Sequence, residues 1–261
     1  MVTPSPVLLF VPGAATYPSF YDDLKIHIQS SGIDFHTFKL ATVDARQPAA
    51  SLQNDVDLVR SLLADFCDQG RDIFMMGHSY GGLPMTESAR GFTQANRRKA
   101  GKEGGIVHLI YITALAPDVG ESMESTNASQ HGSEGPLIFN FMIDHGDYFG
   151  QDPEGSASVN FNALPREVAV AHGRKMALHS KLCFRVALTY AAYADIPTSY
   201  IKVLRDNCLP PWWQQARIET IQKYRGDPID VYNFDSDHCF QASFPAETAD
   251  IVKVIVDKHY G

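Results

Sequence analysis

In the first third of the chain, only six residues separate a predicted strand from a predicted helix. The apolar run Asp72-Ile73-Phe74-Met75-Met76 predicts a buried strand, and Leu83 to Gln94 can form a helix. The intervening Gly77-His78-Ser79-Tyr80-Gly81-Gly82 follows the pattern G-x-S-x-G. Between a strand and a helix, this pattern predicts a sharp, strained turn that exposes the serine hydroxyl. Ser79 is therefore the candidate nucleophile, and the alternative is a glycine-rich turn with a passive serine.

The rest of the chain alternates between predicted strands and predicted helices, the context that such a turn requires. Short apolar runs alternate with longer amphipathic segments, which predicts an α/β fold with a mostly parallel sheet flanked by helices. The predicted strands are Val7–Val11, Phe35–Leu40, Asp72–Met76, Ile106–Leu115, Ser199–Leu204 and Ile229–Phe234. The predicted helices are Tyr17–Ser30 (with Phe20, Leu24, Ile26 and Ile28 on one face), a helix capped by Ser51 that extends to Gly70, Leu83–Gln94, Trp212–Lys223 and Pro245–His259.

The alternation stops between Pro117 and about Asp195. This stretch is rich in glycine, serine, asparagine and proline, followed by two helix-like pieces, Pro165–Leu178 and Phe184–Ala194. The 261 residues are too many for one small domain and few for two. We therefore expect a single domain, residues 1–261, with an inserted lid at about 117–195.

A serine hydroxyl is a weak nucleophile and needs a base beside it. With a turn of this kind, the chain order is serine, then acid, then histidine. His238 follows the last predicted strand, whereas eight of the ten histidines precede the predicted acid and His259 lies at the chain end. Asp206 follows the strand before that and is the candidate acid, with the role of holding the imidazole in one tautomer.

Two other carboxylates and one arginine near these residues leave alternatives open. Asp235 and Asp237 compete with Asp206, but they adjoin His238 in sequence and are better suited to ordering its loop. Arg205 is either a surface residue or a partner of Asp206, and pairing would lower the pKa of that aspartate.

A developing negative charge on the substrate needs two backbone N–H groups directed at it. One is expected from Tyr80, the residue after the candidate nucleophile, and the other from Ala14 in the loop after the first strand. Gly13 would let the substrate approach. Taken alone, Pro12-Gly13 is better explained as a plain turn, but beside the serine turn the functional role is favoured.

Composition excludes several other classes of function. The net charge is −8, and the only candidate basic patch is Arg97-Arg98-Lys99 with Lys102, which argues against nucleic-acid binding. The four cysteines are scattered without a C-x-x-C pair, so we expect no metal site and no cofactor. No stretch approaches the about 18 apolar residues of a membrane span, and the start has no signal-peptide pattern. We expect a cytoplasmic protein that does not bind membranes.

Together these residues resemble the α/β-hydrolase superfamily, and more closely its compact group of methyl esterases, hydroxynitrile lyases and fungal or bacterial esterase-like proteins. The resemblance runs through Val7–Ala14, Gly77–Gly82, Leu188–Tyr193, Asp206–Pro210, Asp237-His238 and Pro245–Ala249. It implies an α/β-hydrolase fold and cofactor-free catalysis by Ser79, Asp206 and His238.

Two positions depart from the hydroxynitrile lyases of this group. Those enzymes look as though they need a lysine beside the catalytic histidine and a threonine in the first oxyanion loop, where this chain has Cys239 and Gly13. Cyanohydrin cleavage is therefore disfavoured. We expect hydrolysis of a carboxylic ester or lactone. The alternatives are a non-hydrolytic biosynthetic enzyme (a C–C lyase or cyclase) with the same three residues, and a ligand receptor.

Aromatic residues of the predicted lid indicate the substrate. They are Phe139, Phe141, Tyr148, Phe149 and Phe161, with Met142 among them and Trp212-Trp213 just after the acid. Each suits packing at least as well as substrate contact. We nevertheless predict that Phe161, Trp213 and Gly13 contact a small hydrophobic or aromatic metabolite, typical of secondary metabolism. A homodimer is compatible with the sequence.

Overall fold

A parallel sheet forms the centre of the molecule. The computed structural model describes residues 5–129 and 137–260, and the positions 130–136 of the predicted lid lie outside them. The described strands are β1 (Val7–Val11), β2 (Asp34–Thr37), β3 (Asp72–His78), β4 (Gly105–Ile112), β5 (Met142–His145), β6 (Tyr148–Gln151), β7 (His179–Ser180), β8 (Thr198–Val203) and β9 (Asp230–Phe234). Six of them form the central sheet in the order β2-β1-β3-β4-β8-β9, with every neighbouring pair parallel.

Helices cover both faces of this sheet. They are α1 (Asp22–Ser30), α2 (Leu52–Asp68), α3 (Gly82–Ser88), α4 (Gln94–Lys99), α5 (Met123–Ser129), α6 (Pro153–Asn160), α7 (Arg166–Gly173), α8 (Ala192–Asp195), α9 (Pro211–Arg225), α10 (Phe240–Ser243) and α11 (Pro245–His259). Short 3₁₀ turns occupy Pro18–Tyr21, Ser79–Gly81 and Lys181–Arg185.

The two covered faces explain why β1 is apolar at every position. Val7, Leu9 and Val11 pack in one core cluster with residues of α2, α3 and α9. Leu8 and Phe10 pack in the other with residues of α1 and α11. A strand buried on both faces needs apolar side chains throughout, which is typical of parallel sheets. This is the α/β-hydrolase fold that the sequence predicts.

The segment between β4 and β8 contains a second sheet that the sequence analysis did not predict. Strands β5, β6 and β7 pair antiparallel within the stretch where a lid was expected. β5 and β6 have four residues each and β7 only two, so none has the apolar run that marks a buried strand.

The helix predicted at Phe184–Ala194 is wrong. The chain forms a 3₁₀ turn at Lys181–Arg185 and the short α8, with an extended stretch between them. In that stretch the N–H of Leu188 donates to Glu121, and the carbonyl of Leu188 accepts from Gly120. This long-range pairing outweighs the local helical preference. The neighbouring prediction at Pro165–Leu178 is partly correct, because α7 covers its first half.

Other boundaries were predicted with variable success. Val7–Val11 and Pro245–His259 are observed as predicted. The helix predicted at Leu83–Gln94 is observed only as α3, which ends at Ser88. Gly91 follows with a left-handed φ of 86°, and α4 begins at Gln94. Ile26, assigned to the apolar face of α1, is 63% exposed. The strand expected to reach Leu40 ends at Thr37.

In the described ranges, no helix is long and apolar enough to cross a membrane. All four cysteines carry free thiols.

The fold makes a specific prediction for two glycines. A Cβ atom at Gly81 would lie 2.3 Å from the carbonyl oxygen of Val11, whereas one at Gly91 would meet nothing within 4 Å. We expect Gly81→Ala to lower the free energy of unfolding by about 3 kcal/mol, since backbone atoms must move. Gly91→Ala should lower it by about 1 kcal/mol, the cost of a left-handed alanine. Urea unfolding measures both, and equal losses in the two variants would contradict the tight packing at Gly81.

Candidate functional site

The serine of the sequence motif lies in a strained turn at the end of β3. Ser79 has a φ of 52°, a left-handed value that is rare for residues other than glycine. The segment after β4 packs against this turn. The carbonyl oxygen of Ser79 accepts a hydrogen bond from the N–H of Leu115 at 2.9 Å, and a Cβ at Gly82 would lie 2.3 Å from the carbonyl oxygen of Leu115. The side chain of Ser79 stays partly exposed at the turn.

The structure brings the three predicted catalytic side chains into one line. The Oγ atom of Ser79 lies 3.0 Å from Nε2 of His238, and Nδ1 of His238 lies 2.7 Å from Oδ2 of Asp206. His238 comes from the loop after β9, and Asp206 from the loop after β8. The ring of His78 donates from Nε2 to the backbone carbonyl of His238 at 2.9 Å, which ties the end of β3 to the loop that carries His238.

The carboxylate of Asp206 is buried and fully hydrogen-bonded. Its Oδ1 accepts from the N–H groups of Cys208 and Leu209, each at 2.7 Å. Its Oδ2 accepts from the hydroxyl of Thr113 at 2.5 Å as well as from His238. A buried charge is stable only with such partners.

Burial and the neighbouring charge shift the pKa of the His238 imidazole in opposite directions. Burial by itself lowers the pKa of His238, but the adjacent Asp206 carboxylate outweighs it and raises that pKa well above its usual range. The imidazole is therefore a stronger base than a free histidine. This is the electrostatic condition for removing a proton from the Ser79 hydroxyl.

The alternatives that the sequence left open are resolved by contacts. Arg205 forms an ion pair with Asp235 at 2.7 Å on the surface and not with Asp206. Asp237 accepts from the N–H of Ala163 at 3.3 Å and from the hydroxyl of Ser243 at 3.0 Å. Burial raises the pKa of Asp237 to about 6. Both aspartates thus hold the loop that carries His238.

A cavity of about 430 Å³ opens above Ser79 and His238. The insertion supplies much of its wall, with apolar side chains predominating. They include Met123, Phe139, Phe141, Met142, Phe149 and Phe184. A few polar side chains, Asn127, Gln151, Asn160 and Lys181, complete the lining. A largely apolar cavity with few polar groups is typical of a small-molecule site.

The predicted contact residues divide into two groups. Ala14 and Tyr80 line the cavity beside Ser79. Phe161, Trp213 and Gly13 are not among the lining residues. Phe161 is buried and stacks on Phe20, and Trp213 on α9 is buried in the core.

Gly13 makes room for the ring of His78. A Cβ atom at this position would lie 2.6 Å from Nδ1 of His78, so the absence of a side chain lets the ring of His78 pack there. Phe184 and Lys181 are cavity residues that the sequence analysis did not single out. Their only signal was a position in the insertion, which is shared with many residues that pack elsewhere.

No metal-binding arrangement is present in the part of the chain that the structure describes: no three histidine, cysteine, aspartate or glutamate side chains are grouped so that they could hold an ion.

Comparison with known proteins identifies the family and the fold. A fungal relative named "Probable hydrolase R7", from Phoma sp., is 28% identical over 249 residues, which is 95% of this chain and 96% of the relative. The solved structure of polyneuridine aldehyde esterase superposes with a TM-score of 0.74 at 16% identity, over 97% of this chain and 100% of that one. A pyrethroid hydrolase from Sphingobium faniae JZ-2 gives 0.73 at 19% identity, over 97% and 98%. The profile of the alpha/beta hydrolase family matches residues 8–251, and the chain belongs to this family.

Proposed function

We propose that the protein is a serine hydrolase that cleaves a carboxylic ester or lactone through Ser79, His238 and Asp206. The observation that carries this proposal is the continuous hydrogen-bonded line from Ser79 Oγ through His238 to Asp206, at the base of a cavity. Relatives named as a hydrolase and an esterase support hydrolysis as the reaction class.

In the proposed reaction, Nε2 of His238 removes the proton from Ser79 as the hydroxyl oxygen attacks the ester carbonyl. The tetrahedral intermediate collapses, and His238 gives the proton to the leaving alcohol. Water then attacks the acyl-serine while His238 again acts as the base, which releases the acid and restores Ser79. Asp206 orients the imidazole and stabilises its charged form.

The oxyanion needs backbone donors, and we assign this role to the N–H groups of Ala14 and Tyr80. Both residues line the cavity beside Ser79. The close packing of Gly81 on the carbonyl oxygens of Val11 and Pro12 holds the loop after β1 against the turn. Such fixed donors stabilise the transition state because they need no reorganisation during the reaction.

The cavity wall indicates the class of substrate. Aromatic side chains such as Phe139, Phe149 and Phe184 suit a hydrophobic or aromatic acyl or alcohol group. The volume of about 430 Å³ suits a small metabolite. The cytoplasmic location, a role in secondary metabolism and a homodimer stay predictions from the sequence.

Removing the nucleophile tests the proposal directly. We expect Ser79→Ala to lower turnover of p-nitrophenyl esters by about 10³-fold or more, since no other group replaces the attacking oxygen. Labelling by a fluorophosphonate probe should also be lost. Ser158→Ala, on the exposed surface of α6, is the matched control and should behave like the wild type. Full ester turnover by Ser79→Ala would contradict the mechanism, and labelling without ester turnover would favour a non-hydrolytic reaction.

The pH profile tests the pairing of His238 with Asp206. The base must be neutral, so activity should fall as the pH drops through the pKa of His238. Because Asp206 raises that pKa, the midpoint of the kcat/KM profile should lie above the ordinary value for histidine, about 6.5. In Asp206→Asn we expect the midpoint to move down and kcat to fall by about 10⁴-fold.

The matched control for that profile is Asp235→Asn, which removes a surface carboxylate paired with Arg205. It should leave both the midpoint and kcat unchanged. An unshifted midpoint in Asp206→Asn, or an equal shift in the two variants, would rule out Asp206 as the partner that sets the basicity of His238.

A further inference from the structure

Next to Ala14 and Tyr80 lies a group of buried polar side chains that the proposed reaction does not use. They are Asp55 on α2, the side chain of Tyr80, His179 on β7 and Cys183 in the 3₁₀ turn that follows. We call these four residues the polar network.

The network holds the loop after β1 through Ala15. Ala15 has a φ of 60°, a left-handed conformation in which a residue with a Cβ atom is strained. Its N–H donates to Nδ1 of His179 at 3.2 Å, and its carbonyl oxygen accepts from the N–H of Ala177 at 2.8 Å. Both backbone polar groups of Ala15 are therefore bound by the insertion. Ala14 directly precedes this residue in the loop.

The ring of His179 is in the state that this contact needs. Nδ1 can accept only when it carries no proton, which places the proton on Nε2. Burial lowers the pKa of His179 to about 3, so the ring is neutral near pH 7. Its Nε2 lies 3.4 Å from the sulfur of Cys183, and the thiol of Cys183 donates to the carbonyl of Ser180 at 3.0 Å. In this tautomer, Nδ1 of His179 accepts from the N–H of Ala15, and its Nε2–H donates to the sulfur of Cys183.

The same network holds the other side of the site through Tyr80. The hydroxyl of Tyr80 donates to Oδ2 of Asp55 at 2.7 Å. Asp55 is anchored in turn, because it accepts from the N–H and the hydroxyl of Thr42 at 3.1 and 2.7 Å. The ring of Tyr80 packs edge-on against that of His179, with centroids 5.0 Å apart.

The strand that carries His179 is itself fastened to the body of the protein. The N–H of Ser180 donates to the carbonyl of Thr42 at 2.9 Å, and Val43 pairs with His179 in an isolated antiparallel bridge. Thr42 therefore contacts both Asp55 and β7. These bonds link the insertion, the loop after β2 and the Ser79 turn into one unit.

We propose that this network sets the relative position of the two oxyanion donors, with His179 as the positioning residue for Ala14 and Asp55 as the positioning residue for Tyr80. The inference rests on the proposed function and deepens it. The insertion then has a second role beyond forming the wall of the cavity, because His179 holds the loop that carries Ala14.

Two variants of His179 test its role. His179→Leu removes the acceptor for the Ala15 N–H, and His179→Asn places an amide oxygen near the position of Nδ1. We expect His179→Leu to lower kcat for p-nitrophenyl butyrate by about tenfold or more, with KM changed less than twofold, since a misplaced donor weakens only the transition state. Affinity for phenylboronic acid, which forms a tetrahedral adduct with the serine, should weaken in parallel. His179→Asn should recover most of both losses.

His108→Leu is the matched control. His108 is another buried histidine whose pKa burial lowers to about 3, and its ring contacts Ser199 at 2.8 Å without lining the cavity. This variant should lose stability while keeping kcat. Equal losses of kcat in the two leucine variants, or an unchanged kcat in His179→Leu, would overturn the proposal.

A second readout does not depend on catalysis. Amide hydrogen exchange of residues 13–16, followed by mass spectrometry, should be faster in His179→Leu than in wild type and His108→Leu. Unchanged exchange would overturn the role of His179 even if kcat falls. Failure of the proposed function is visible separately, as wild-type turnover that does not depend on Ser79.

Tyr80→Phe provides a variant that keeps the shape of the core. It removes only the hydroxyl that Asp55 holds, so we expect a fall in kcat with little change in KM. Tyr193→Phe is its control, because the buried hydroxyl of Tyr193 donates to Pro117 and does not contact the network. A kcat for Tyr80→Phe equal to that of Tyr193→Phe would overturn the role assigned to Asp55.

Discussion

The close approach of the Ser79 turn to the ends of β1 and β4 is the constraint on which the rest of the site depends. Gly81 packs directly on the carbonyl oxygens of Val11 and Pro12, and Gly82 packs on that of Leu115. Only glycine permits these distances. They bring together the carboxyl ends of three adjacent parallel strands, the edge at which ligands bind in open α/β sheets. A serine held at this edge with a left-handed backbone projects its hydroxyl into the cavity.

The order of the strands supplies the remaining groups. β8 and β9 lie beyond β4 in the sheet, so their loops bring Asp206 and His238 to the same edge. Burying a carboxylate and an imidazole costs free energy that the interaction between them does not offset alone. The backbone N–H groups after Asp206 and the hydroxyl of Thr113 provide the missing hydrogen bonds. The pair can therefore stay buried, where solvent screens its interaction least.

Fold elements could be predicted from sequence where a local pattern and the tertiary environment agree. β1 is apolar because both faces of the sheet are covered, and α11 has a continuous apolar side, so their bounds were predicted correctly. Where local pattern and environment disagree, prediction failed. The stretch around Leu188 has helix-forming residues, but its backbone pairs with Gly120 and Glu121. The small sheet of β5, β6 and β7 depends on pairing between short segments that carry almost no periodic signal.

The sequence by itself determined the α/β alternation, the serine turn and the candidate residues Ser79, Asp206 and His238. Spacing along the chain and the order of strands carry that information, since each is a local or topological property. Only the tertiary structure decided which aromatic side chains face the cavity, because Phe161 and Phe149 look alike in sequence and differ only in which neighbours surround them. It also decided that His179 binds the loop of Ala14 and that Asp55 binds the hydroxyl of Tyr80. Contacts between residues more than a hundred positions apart, such as Ala15 with His179, arise from packing and leave no pattern in a single sequence.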